Sequence, residues 1–181
     1  MDVSFAADHI RFLHYDFPGS TVHPTGILIP AQIRDADWKI TRPEIRTTLG
    51  ETLFIPRKQD SELEEFCRRN DVTERRRTDI WSDLLEPFLD TWFDPEQELA
   101  TEKRLHAAGL SQEEVAEIRQ RIAPLMRAYN FDSMLWEWVD LGLFDLLSAS
   151  SGALVPPDLP TTLGDLTVFY AWAMEIAERH P

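Results

Sequence analysis

The spacing of hydrophobic residues changes character about a third of the way along the chain. Up to residue 60, apolar runs are short and are cut by Pro18-Gly19, His23-Pro24, Pro30, Arg42-Pro43, Gly50 and Pro56, too often for long helices. Strands are expected at His9 to Phe17, Gly26 to Ala31 and Glu51 to Ile55, with a weaker fourth at Trp38 to Thr41. From Ser61 the period becomes helical. A Ser61-x-x-Glu64 capping box opens a short helix that carries Phe66 and ends near Asn70.

The segment from Thr73 to Phe93 places Ile80, Trp81, Leu84, Leu85, Phe88, Leu89, Trp92 and Phe93 on one stripe, the pattern of an amphipathic helix. Pro87 lies on its polar side, so a kink rather than a break is expected there. Asp94-Pro95-Glu96-Gln97 starts another helix, which Gly109 ends. Ser111-x-x-Glu114 caps the next, whose seam reads Val115, Ile118, Ile122, Leu125 and Tyr129 and which should bend at Pro124. Ser133 to Ala149 is apolar nearly all round and reads as a central buried helix. A final helix starts at Thr161 or Thr162 and presents Leu166, Phe169, Tyr170, Ala173 and Ile176 on one face, with Trp172 beside them.

The expected fold class is therefore mainly α, a bundle of about five helices with a small N-terminal strand-and-turn portion, α+β being the alternative. Residues 1–60 would form that portion, packed on a helical domain of residues 61–181 as one compact unit.

Charge narrows the partners. With 18 Lys and Arg against 32 Asp and Glu, the formal charge is −14, so the mean field repels phosphate backbones and anionic lipid heads. Nucleic acid and membrane surfaces are poor partners for such a chain. Its longest nearly apolar stretch, Leu141 to Leu147, is interrupted by Asp145 and is far short of the roughly 20 residues of a spanning helix. The opening Met1-Asp2-Val3-Ser4 lacks a basic then apolar signal pattern, and the single Cys67 suits a reducing compartment, so a cytoplasmic location is expected.

Several constellations are candidates for chemistry. Asp79, Asp83, Glu86 and Asp90 align four carboxylates opposite the aromatic stripe, a row that reads as a solvated face and that could also dock a basic protein or bind a hard cation. Glu98, Glu102 and His106 stand at successive i, i+4 positions and offer metal ligands or a surface ion pair. His9, His14 and His23, near Asp8 and Asp16, are the material of a metal site or a general base. On a strand, however, His9 and His14 would face opposite sides. Arg68, Arg69, Arg75, Arg76 and Arg77 are interleaved with Glu64, Glu65, Asp71 and Glu74, which reads as local neutralisation. Neither a nucleophile elbow nor a phosphate loop is found, and no cofactor is expected.

Phe131-Asp132-Ser133-Met134, an apolar helix, a Val155-Pro156 loop and Thr161-Thr162-Leu163-Gly164-Asp165-Leu166 together resemble the second half of an acyl carrier protein. That resemblance implies a phosphopantetheine carried on Ser133. Carrier domains set a long loop before that serine, whereas here a helix runs almost directly into it, and Asp132-Ser133 also reads as a helix cap.

The function expected first is a non-catalytic intracellular interaction or regulatory protein whose acidic face docks a basic protein partner. A homodimer through Trp136, Trp138 and Trp172 goes with it. A metal-binding protein or enzyme using the N-terminal histidines with carboxylates is the second reading, and the carrier-like protein modified on Ser133 the third.

Overall fold

The structure, a computed structural model, describes residues 1–89, 95–132 and 140–179, the side chains at 131 and 132 aside. It divides into two compact units, Met1–Arg77 and Thr78–Pro181.

In the first unit, β1 (Asp2–Phe5), β2 (Ile10–His14) and β3 (Gly26–Leu28) form an antiparallel sheet in that order. Ile10 and Phe12 are buried while Arg11 and Leu13 face out, the alternation of a half-covered strand. A second antiparallel sheet follows from β4 (Ile33–Asp37), β5 (Glu44–Thr47) and β6 (Thr52–Phe54). Helix α1 (Asp60–Arg69) buries Leu63, Phe66 and Cys67, and Phe66 meets Phe5 of β1 at 6.0 Å between ring centroids. Tyr15 joins the two sheets. Its ring stands edge-on to Phe12 and Phe17, and its hydroxyl accepts the Phe54 N–H at 3.1 Å.

Buried charge holds the second sheet. Asp35 accepts hydrogen bonds from Arg46 Nε and, at 2.9 Å, from Arg77 Nη2, and Arg46 also reaches Glu44 and the Arg75 carbonyl. The backbone from Thr73 to Arg75 runs along Ala36 of β4, with hydrogen bonds of 3.1 and 2.9 Å.

The second unit is helical. Helix α2 (Ile80–Leu85) packs against α3 (Pro95–Ala107), α4 (Gln112–Arg127), α5 (Leu143–Ser150) and α6 (Leu166–Ala177). Its Trp81 is fully buried, donates Nε1–H to the Ala173 carbonyl at 3.0 Å and meets Trp172 edge-on at 5.5 Å. Gly109, at φ +81°, ends the α3 segment in the left-handed conformation that glycine adopts without cost. Ser111 then caps α4, accepting the Glu114 N–H at 3.1 Å.

The mainly helical bundle is corrected by this architecture. The described residues hold six α-helices, at 49% helical, and two three-stranded antiparallel sheets, at 15% strand, which is a mixed α+β fold. Strands β1, β4 and β5 were not expected, and Trp38 to Thr41 is not a strand. For β4 and β5 the reason is a buried ion pair: Asp35 and Arg46 interrupt the apolar alternation of a strand, although both are buried.

Helix boundaries are corrected as well. Thr73 to Asp79 is not helical, because its first residues pair with β4 and Asp79 serves as the N-cap of α2. At Pro87 the helix breaks rather than kinks. A 3₁₀ turn spans Glu86–Phe88 and Leu89 is extended at ψ 144°. Ser61 does not cap α1, whose N-cap is Gln59. Helix α5 starts only at Leu143, behind an extended Gly142. Helix α6 starts at Leu166, capped by Asp165 after a 3₁₀ turn at Pro160–Leu163. Asp94, Ser133, Met134, Trp136 and Trp138 lie outside the described residues. Among the described residues no helix is long and apolar enough to cross a membrane.

Candidate functional site

The residues of the expected carboxylate row have separate tasks. Although Asp79 presents surface to solvent, both of its carboxylate oxygens are taken up by backbone. Oδ1 accepts the Trp81 N–H and Oδ2 the Leu143 N–H, each at 2.9 Å, so one side chain caps α2 and the first turn of α5. Loss of hydration pushes the Asp79 carboxyl up to about 6, assisted by the negative Asp145 and Asp83, while the two N–H bonds pull the other way. A Cβ on Gly142 would lie 2.5 Å from Asp79 Oδ2, so the absence of a side chain there lets the carboxylate reach α5.

Asp83, one turn on, is buried and gripped by Arg104, with Nε at 3.1 and 3.0 Å from its two oxygens and Nη2 at 2.6 Å from Oδ1. That charge-assisted fork raises the guanidinium of Arg104 above its ordinary pKa. Glu86 is half-buried in the 3₁₀ turn, and Asp90 lies outside the described residues. Asp79 and Asp83 thus act inside the unit as a helix cap and an ion-pair partner.

Beside this scaffold, α3 and α4 run as a hairpin through Gly109 and enclose an open groove of about 770 Å³. Glu102 and His106 of α3 and Gln112, Ala116 and Arg119 of α4 line it over buried Leu105, Leu110 and Val115. Glu98 stands one turn before Glu102, and the exposed Leu99 lies three residues before it on the same face. Arg119 is anchored: Nε donates to the Leu84 carbonyl at 3.1 Å and Nη2 to the Asp83 carbonyl at 3.0 Å, at the end of α2. Burial lowers its pKa, against the pull of Glu86, Glu102 and Asp83.

The N-terminal histidines do not converge. His9 Nδ1 meets Asp8 at 2.8 Å, His14 Nε2 meets Asp16 at 2.9 Å, and His23 Nδ1 meets the Tyr15 carbonyl at 2.8 Å. Among the described residues, no group of three or more His, Cys, Asp or Glu is placed to hold a metal ion. Arg68 and Arg69 pair with Glu64 and Glu65 along α1. Trp172 is half-buried, with the Arg121 guanidinium 4.1 Å from its ring centroid and Trp81 at its edge. Burial pushes the Cys67 thiol up to about 12, so it is packing material.

The two units differ sharply in charge. Thr78–Pro181 has 6 Lys and Arg against 19 Asp and Glu, a net −13, whereas Met1–Arg77 has 12 against 13 and is almost neutral. The groove was the feature missed from sequence. Its signal was the short link between a helix stopped at Gly109 and one capped at Ser111, which makes α3 and α4 neighbours.

Comparison of the chain with protein-family profiles, curated proteins and solved structures finds no significant match.

Proposed function

We propose that the chain is a non-catalytic interaction or regulatory protein of the cytoplasm whose helical unit docks a basic protein partner. The observation that carries this reading is the charge division: nearly all of the net −14 belongs to the helical unit. A charge concentrated on one module raises the encounter rate and selects for basic partners, and its effect falls with salt. The exposed Glu98, Glu102 and Glu113 supply the contact, because Asp79 and Asp83 are occupied within the unit. The separate partners of His9, His14 and His23 favour this reading over a shared histidine site.

The test uses the full chain and poly-lysine as a defined basic probe. Reversing Glu98, Glu102 and Glu113 to lysine should weaken binding about tenfold at low salt, whereas reversing Asp2, Asp8 and Glu62 in the first unit should change it less than about twofold. Equal losses from the two triple variants would reduce the effect to overall net charge and remove the reading.

A further inference from the structure

We infer that the groove between α3 and α4 binds a free amino acid with a large apolar side chain, its ammonium group meeting Glu102 and its carboxylate meeting Arg119. A small-molecule site of this kind goes beyond the docking function proposed above and does not depend on it. The charges that line the groove select the ligand. Glu102 stands on the α3 side and Arg119 on the α4 side, each in the field of the other, yet among the described residues no ion pair joins them. Arg119 is fixed in place, because Nε and Nη2 donate to the Leu84 and Asp83 carbonyls, and Nη1 is the donor left over. The guanidinium groups of Arg46, Arg77 and Arg104 meet the carboxylates of Asp35 or Asp83, whereas that of Arg119 is half-buried and meets only carbonyls. A guanidinium held in this way offers a carboxylate one set position.

A simple anion at Arg119 would meet the repulsion of Glu102 and of the net −13 of the unit, and a simple cation at Glu102 would meet that of Arg119. A zwitterion satisfies both groups and carries no net charge for the unit to repel. The rest of the lining suits an apolar body between the two charges. Leu105, Leu110 and Val115 form the floor, and the exposed Ala116 is a wall whose short side chain leaves width. The volume of about 770 Å³ falls within the roughly 300–1,000 Å³ of small-molecule sites and has room for a benzyl group. The imidazole of His106 and the amide of Gln112 stand at the same groove as further hydrogen-bonding groups.

The probes are L-phenylalanine and three relatives that each lack one element: N-acetylphenylalanine has no ammonium group, phenylalaninamide no carboxylate and glycine no apolar body. Titration of the full chain, followed by NMR at about 0.1 M salt where long-range attraction is screened, separates them. Phenylalanine should bind with a dissociation constant below about 1 mM and at least about tenfold more tightly than any of the other three. Glu102→Gln should weaken phenylalanine about tenfold and bring it level with N-acetylphenylalanine, because the carboxylate that tells them apart is gone. Ala116→Trp, which fills the groove, should abolish phenylalanine binding, circular dichroism showing both variants folded. The two exposed positions lie on different helices, so the test stays decisive if one variant fails to fold. Absence of phenylalanine binding, equal binding of the four probes, or a preference untouched by both variants overturns the site. Tighter binding of N-acetylphenylalanine than of phenylalanine would make the groove an anion site and overturn the zwitterion. None of these outcomes alters poly-lysine binding, which tests the docking function separately.

Discussion

Asp79 and Leu143 are 64 residues apart, yet the Asp79 carboxylate accepts the Leu143 N–H at 2.9 Å while capping its own helix through the Trp81 N–H. One carboxylate therefore serves two helix starts, α2 and α5, and both helices are short enough to depend on their caps.

Asp79→Ala leaves two N–H groups without their partner and should destabilise the helical unit by about 2–3 kcal/mol, whereas Asp79→Asn, which keeps one acceptor, should cost about 1 kcal/mol. Urea unfolding followed by circular dichroism gives both values. Equal small losses, within about 0.5 kcal/mol of wild type, would show that the double cap contributes little.

The same residue has a pH signature. Its carboxyl titrates near about 6 in the folded protein against an ordinary 3.8, so between these values the native state holds a proton that the unfolded chain has released. The contribution of Asp79 to stability is therefore greatest below its ordinary pKa and is lost as pH rises through about 6. Measured as wild type minus Asp79→Asn, the stability difference should move against the wild type from pH 4 to pH 7. A difference that moves in favour of the wild type over that range would contradict the environment assigned to Asp79.

Gly142→Ala tests the close approach rather than the charge. Its new Cβ would lie 2.5 Å from Asp79 Oδ2, and the expected cost is about 1–3 kcal/mol. In an Asp79→Ala background the clash disappears, so the same substitution should cost at least about 1 kcal/mol less. Strict additivity in the double-mutant cycle would place the two residues out of contact.

Arg104→Ala removes the fork on the buried Asp83 and should cost about 2–3 kcal/mol, part of which Asp83→Asn in the same chain should restore by removing the unpaired charge. Thermal unfolding of the single and double variants is the readout. A further loss in the double variant would mean that Asp83 gains its stability elsewhere.

Local signals identified many of the elements. Pro95, Gly109 and Ser111 mark the ends of α3 and α4 by their own chemistry, and β2, β3 and β6 follow from short apolar runs between turns. What escaped depended on distant partners. Asp35 and Arg46 sit in strands because each neutralises the other after folding, a pairing that neither hydrophobic period nor strand propensity registers. The apolar run before Ala149 hides the start of α5, because Gly142 is extended and the carboxylate that meets Leu143 comes from Asp79. Likewise, helical spacing put Asp79 and Asp83 on one exposed face, whereas α5 and Arg104 claim them one by one. The candidate groove was legible only as two adjoining helices, since its depth depends on how they pack.

The double cap has a consequence for synthesis. As the chain leaves the ribosome, α2 emerges well before Leu143, and during that interval one oxygen of Asp79 lacks its backbone partner. The second half of the cap forms only when α5 arrives, and the Trp81 indole finds Ala173 and Trp172 only when α6 follows, so that a nascent chain stopped before Leu143 displays Trp81 to solvent and to chaperones.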